Sequence, residues 1–402
     1  MDRTVVATVG HDGGQFPARM SGAPIAVVGA GPTGLAAAVL LADTGYAVTL
    51  IAPTSPATDR RTSALLAGSV ALLERLGVWS ELASEAAPLK TMRIIDGTRR
   101  LIRAPEVAFD AAEIGLPAFG YNVTNAALVA ALERAVAARA LTTVNALASD
   151  VAPGDDGVAL TLSTGDILTA KLVIAADGRR SRVREAVGIA SDEWRYDQAA
   201  LVCNLHHTLP HHDASTEFHT EHGPFTLVPL AANRSSLVWV DQPAECARRL
   251  ALFDEVVAAE IEARSQSILG TITVEGSRQV FPLAGMTVRR FAANRVMLVG
   301  EAAHLFPPIG AQGLNLGYRD VAALADILAG PIADPGDAAS LAAYDRARRV
   351  DVLSRTAAVD ALNRTLLSDF LPVQALRGLG LFLVDRIPAL RHMAMRQGVA
   401  AL

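Results

Sequence analysis

The chain has 402 residues, 51% of them hydrophobic and 19% charged, with a formal net charge of -5. That length and apolar content can bury a large core in two or three domains, and the acidic balance leaves no broad electrostatic footprint for nucleic acid. Only Cys203 and Cys246 occur, which excludes a disulfide framework and a thiolate metal site and fits a reducing cytoplasm.

Residues 1–23 lack the apolar core of a signal peptide and read as a loose tail. The stretch 24–42 is uncharged, but Gly29, Gly31, Pro32 and Gly34 interrupt it, so no membrane span is expected. Its start, 25–28, reads as a buried strand, 35–42 as an Ala/Leu-rich helix and 47–51 as a second strand. In this βαβ unit Gly29 allows the tight turn, Gly31 lets backbone approach a pyrophosphate, and Gly34 allows close packing of helix on strand. The acidic residue expected at the end of the second strand, to hold a ribose hydroxyl, is replaced by Ala52 and Pro53. Next, 59–65 reads as a charged loop opening an apolar helix that continues to Leu76. Arg61 has two readings, a fork for phosphate oxygens and a solvated arginine.

Residues 89–120 alternate as strands of a second sheet do. A helix over 126–140 follows, capped by Thr124 or Asn125. The segment 141–175 reads as three strands and ends at Asp177-Gly178, an acidic turn entering a helix beside several arginines. The segment 195–285 is strand-rich with one helix near 247–263. Six of the nine histidines fall between His206 and His222, yet no fixed ligand spacing accompanies them, and solvated strand ends are the simpler reading. The run 296–299 then reads as a strand buried on both faces, with Glu301 at its end. Pro307, Pro308, Gly310 and Gly313 forbid regular structure, and an apolar helical pattern runs from about Asn315. A loop of this kind presents free N–H groups at a helix start. Residues 341–402 are helical in pattern. Their last forty mix leucines with Arg377, Arg386, Arg391 and Arg396, which fits both a helix at a membrane surface and helices packed on the protein body.

Three motifs stand together: the 29–34 glycine loop, Asp177-Gly178 with Ser181 and Arg184, and Gly300-Glu-Ala-Ala-His304 with 308–315. In them the chain resembles the flavoprotein aromatic hydroxylases of the p-hydroxybenzoate hydroxylase fold. Within that group it is similar to the ubiquinone-biosynthesis hydroxylases, because Arg61-x-x-Ala-Leu, Leu76-Gly-Val-Trp, 223–230, Phe281-Pro-Leu and Arg377-Gly-Leu-Gly-Leu also match. The resemblance implies an α/β (α+β) chain with a Rossmann-like FAD-binding domain over 24–190 and 286–345, with 80–118 partly in the substrate sheet. A substrate domain over 191–285 and a helical region over 346–402 complete it.

It further implies FAD held at Gly29, Gly31, Gly34, Arg61, Asn125, Asp177, Glu301, Pro308, Ala311, Gln312 and Gly313, with NAD(P)H or an electron carrier as transient reductant. A flavin hydroperoxide would give its distal oxygen to a lipophilic phenol, and no side chain need act as acid or base. His304 is read as structural and no metal is expected. Implied partners are a polyprenylated aromatic substrate, a peripheral contact with the inner membrane face, and other proteins of ubiquinone biosynthesis. Two positions depart from the family, which has Asp at 301 and Gly at 311. If position 311 needs positive φ, Ala311 costs about 1 to 2 kcal/mol unless Gly310 absorbs the turn. A halogenase or prenyl reductase of this fold and a non-catalytic scaffold are the rival readings. Trp79, Trp194 and Trp239 are isolated, which counts against a halogenase.

Overall fold

The computed structural model describes residues 19–20, 24–54, 59, 61–98, 103–307, 311–329, 332–367, 380, 383 and 386–398. Ile25–Val28 lies inside a six-stranded sheet, and all four of its residues are buried. The strand order is Ala292–Ala293, Val296–Leu298, Leu172–Ala175, Ile25–Val28, Val48–Ile51, Thr142–Val144, parallel except for the first pair. Strands covered on both faces have no polar alternation to show, which is why these read as continuous apolar runs. The Pro32–Asp43 helix makes the first crossover and is buried from Gly34 to Leu41, so it too lacks an amphipathic stripe.

A second sheet has eight strands. Two 17-residue strands, Ser191–His207 and Ile272–Val288, pair antiparallel near one edge, and Thr91–Asp96 and Val107–Asp110 close the other. Its own core stacks Phe218, Phe225 and Trp239 edge to face, with ring centroids 5.7 and 5.1 Å apart. A short piece of chain runs from the first sheet to the second. After Val296–Leu298 leaves the first sheet, His304–Leu305 pairs with Thr287 and Met286 at the edge of the second.

Several local expectations are corrected. Thr62–Leu66 is a strand paired with Gly120–Thr124, and the helix is only Ala67–Arg75; cross-strand pairing outweighs the helical apolar spacing there. The segment 141–175 holds five strands, because Thr142–Val144 joins the parallel sheet and Leu172–Ala175 follows Ile167–Ala170 after one residue. The single helix at 247–263 is two, Pro243–Ala251 and Asp254–Arg264, broken where Leu252 turns extended at ψ 160. Arg19–Met20, within the expected tail, pairs with Ile167 and Leu168. The helix placed from Asn315 begins at Gln312. No helix among the described residues is long and apolar enough to cross a membrane.

Candidate functional site

The glycine loop separates three steric demands. Gly29 has φ +110, and a Cβ on it would lie 2.2 Å from the Ala176 carbonyl oxygen. A Cβ on Gly34 would lie 2.1 Å from the Gly29 carbonyl oxygen, whereas one on Gly31 would meet nothing within 4 Å. So Gly29 and Gly34 are required by the protein's own packing, and Gly31 faces open space. No side chain caps the Pro32–Asp43 helix that starts here, which leaves its dipole and first N–H groups for a ligand.

The second loop lies directly against the first. A Cβ on Gly300 would meet Thr33 Oγ1 at 3.0 Å and one on Gly317 would meet the same atom at 2.7 Å, so glycine at both positions lets the two loops touch. Ala311 adopts φ +54 and ψ 32, in the left-handed region, and Gly310 lies outside the described residues. Asn315 fixes this geometry from inside. Its Nδ2 donates to the Ala311 and Ala64 carbonyls at 2.6 and 2.8 Å, and its Oδ1 accepts from Leu66 N–H and Ser69 Oγ at 2.8 and 2.6 Å. Gly313 is exposed with open space above it, and the Gln312–Ile327 helix, like the first, has no side-chain cap. Pro308 lies outside the described residues.

Glu301 is exposed in a short turn, Gly300–Ala302, at the end of the Val296–Leu298 strand. Its charge reaches the Arg61 guanidinium. Arg61 itself donates two hydrogen bonds to Asp59 at 2.9 and 2.8 Å and sits 5.4 Å from the Phe281 ring centroid. Burial pushes the Asp59 carboxyl up, but bonds from Arg61 and Asn125 hold it down at about 2. Asn125 spans this cluster, donating to Asp59 at 2.9 Å and accepting from Ser63 at 2.7 Å; the helix cap is Thr124, whose Oγ1 accepts from Ala127 N–H at 3.3 Å. Asp177 accepts from Val183 N–H at 3.2 Å through Oδ2, while its buried Oδ1 has no partner. A buried carboxylate oxygen without a donor is unusual and calls for one, and a hydroxyl of a bound group is a chemically suitable donor. Arg184 is buried and donates to the Ala302 and Arg179 carbonyls at 3.0 and 3.1 Å, tying the Asp177 turn to the Glu301 turn.

Spacing in the sequence did not reveal the network beneath the loop. Asp320, wholly buried, accepts from Gly300 N–H at 2.8 Å, His304 Nε2 at 2.7 Å and Arg348 Nε at 2.7 Å. Burial pushes its carboxyl up, but the charges of His304 and Arg348 more than offset this and hold it below the usual carboxylate range. Arg348 continues to Asp351, which also accepts from Arg319 and Arg355. The only early signal was an aspartate inside an apolar helical stripe. The clustered histidines are not all solvated strand ends: His207 and His219 are buried, His207 and His211 contact the Leu209 and Leu230 carbonyls, and His219 pairs with Glu217. Among the described residues no group of three His, Cys, Asp or Glu could hold a metal ion.

Residues 22–357 match the family described as FAD binding domain. The chain is 36% identical to ubiquinone hydroxylase UbiL of Rhodospirillum rubrum, over 94% of this chain and 90% of that protein. It is 34% identical to 3-demethoxyubiquinol 3-hydroxylase of Escherichia coli, over 92% and 97%. The fold is that of p-nitrophenol 4-monooxygenase PnpA from Pseudomonas putida, with a TM-score of 0.77 at 20% identity over 95% of this chain and 99% of that one. Klebsiella pneumoniae HpxO, solved with FAD and uric acid, superposes with a TM-score of 0.76 at 18% identity, over 93% and 96%. On a family match over 22–357 and identity of 34 to 36% along more than nine-tenths of its length, the chain belongs to the FAD-binding-domain family, as an FAD-dependent aromatic hydroxylase.

Proposed function

We propose that this enzyme hydroxylates the ring of a lipophilic phenol intermediate of ubiquinone biosynthesis. The observation that carries the reading is identity of 34 to 36% with two hydroxylases of that pathway along more than nine-tenths of the chain. In this reading 24–190 and 286–345 form the FAD half and 191–285 the substrate half. FAD pyrophosphate lies along Gly29, Gly31 and Gly34 with Arg61 alongside, held at one side by the Asp59 and Asn125 cluster. Asp177 Oδ1 and Glu301 accept from ribityl hydroxyls. The ring system is seated on Pro308, Ala311, Gln312 and Gly313, where backbone N–H groups at a helix start favour negative charge on the reduced ring. Bound FAD, once reduced, supplies the oxygen-transfer chemistry. The protein's own part is to orient the ring and the phenol and to exclude water.

The reductant is NAD(P)H. What supports a site for its phosphates is a cleft of about 440 Å³ between the Asp177 turn and the second sheet, lined by Arg179, Arg180, Arg184 and Arg195 against Glu185 and Glu193. Among the described residues Arg179, Arg180 and Arg195 form no ion pair, and guanidinium forks suit pyrophosphate oxygens. A peripheral membrane contact at the cytoplasmic face is the route proposed for the substrate. Leu383, Ile387 and Met393 are exposed there, whereas Arg377 and Leu379 lie outside the described residues. The test is aerobic turnover of a demethoxyubiquinol analogue by purified yellow protein with NADPH. A hydroxylated product by mass spectrometry is the expected result; colourless protein that takes up no FAD would end the reading.

A further inference from the structure

We propose that Asp320 is a positioning residue that clasps the base of the flavin-facing loop and sets where Glu301 and Ala311–Gly313 stand relative to each other. The inference rests on the FAD reading above, but its evidence is independent of any ligand. Gly300 and Asp320 bracket the whole loop, and the Asp320 carboxylate closes it by accepting the Gly300 N–H. Gly300 has φ +59, so the chain is turned out of the strand at the same residue whose N–H is captured. The same oxygen accepts from His304 Nε2, and the His304 backbone is paired to Thr287 of the second sheet. The other carboxylate oxygen accepts from Arg348 on the Ala338–Leu367 helix. One side chain therefore joins the end of a strand of the first sheet, the edge of the second sheet, and two helices.

Such a joint has one register. A buried carboxylate with three donors cannot slide, because any shift leaves a charge or an N–H unpaired away from water. Upstream it holds Gly300, next to Glu301. Downstream it holds the third turn of the helix whose first residue follows left-handed Ala311. A non-glycine residue in that conformation persists where its surroundings over-determine it, and Asp320 together with Asn315 supplies that constraint.

Deuterium exchange on protein stripped of FAD, followed by FAD titration, tests the clasp. Asp320→Asn keeps shape and removes charge. It is expected to remain folded by circular dichroism, to exchange over 300–313 at least tenfold faster than wild type with 25–51 unchanged, and to bind FAD at least tenfold more weakly. His304→Ala is expected to do the same, and His304→Gln, which can still present a donor near the Nε2 position, to restore both readouts to within about threefold of wild type. Unchanged exchange over 300–313, equal acceleration everywhere, or His304→Gln as impaired as His304→Ala would each overturn the proposal. If Asp320→Asn does not fold, the two His304 variants decide it. If no variant and no wild type binds FAD while the exchange pattern holds, the cofactor reading fails and the clasp stands.

Discussion

Gly29 and Gly31 are the same residue type used for opposite reasons. Gly29 has no room, with a Cβ falling 2.2 Å from backbone, and Gly31 has empty space. Gly29→Ala should therefore cost about 2 to 4 kcal/mol of stability, from clash and a forbidden φ together. Gly31→Val should melt like wild type yet bind FAD at least tenfold more weakly, because its side chain occupies the ligand's space; equal affinity by fluorescence titration would show that no ligand passes there. At position 311 the strain is real, since Ala311 holds φ +54. Ala311→Gly relieves it at some entropic cost in the unfolded chain, for a net gain of about 0.5 to 1 kcal/mol in denaturant unfolding; a loss of stability would mean that the loop needs the methyl group. Glu301 is exposed beside the site, so Glu301→Ala should weaken FAD by roughly 1.5 to 3 kcal/mol and Glu301→Asp should not. Equal affinity in wild type and Glu301→Ala would remove the carboxylate from the site.

At the scale of elements, the last described helix, Pro388–Gly398, is docked through Arg391 and a buried methionine. Arg391 grips Glu113 at 2.5 and 2.7 Å, also donates to the Ala108 carbonyl, and lies 4.8 Å from the Phe109 ring centroid. Met395 is buried against Ala111 and Phe119. The hydrogen bonds from Arg391 hold the Glu113 carboxyl at about 2, below the ordinary 4.5. A depressed carboxyl stabilises fully above its unfolded pKa and loses that stabilisation as pH falls through the folded one, so docking should weaken from about pH 4.5 down to about 2. Limited proteolysis with an acid protease across that range should release a C-terminal fragment, and Glu113→Gln should release it at neutral pH. Identical cleavage of Glu113→Gln and wild type at neutral pH would show that the Arg391–Glu113 pair does not hold the helix. Arg391 is thus committed to the protein body, while Leu383, Ile387 and Met393 are exposed and are the residues on which the proposed bilayer contact is tested.

For the whole molecule, the arginine cleft and the apolar C-terminal face make separable predictions. Changing Arg179 and Arg195 together to Gln should raise KM for NADPH about tenfold or more, through lost charge-assisted bonds, while FAD affinity stays as in wild type. A KM that does not move would send the reductant elsewhere. Changing Leu383, Ile387 and Met393 together to Ser should abolish sedimentation with anionic liposomes if substrate is collected from a bilayer; wild type that never sediments would assign delivery to a partner protein of the pathway.

The local chemistry of this protein is written in its sequence because glycine, proline and strand-ending carboxylates act within a few residues of themselves. The 29–34 loop, the Asp177-Gly178 turn and the buried strands at 25–28 and 296–298 were legible on that ground, whereas only the fold decided that Ala311 itself takes a positive φ. What tertiary structure alone decided are the relations between distant segments. Thr62–Leu66 is a strand because Gly120–Thr124 lies beside it, and in the C-terminal amphipathic pattern, equally suited by sequence to a bilayer or a protein surface, Arg391 is turned to the protein surface by its ion pair with Glu113. Asp320 stands in the sequence as an aspartate within an apolar helical pattern. Its three donors come from residues 20 and 16 positions before it and 28 after it, and only folding brings them close enough for a buried charge to be stable there.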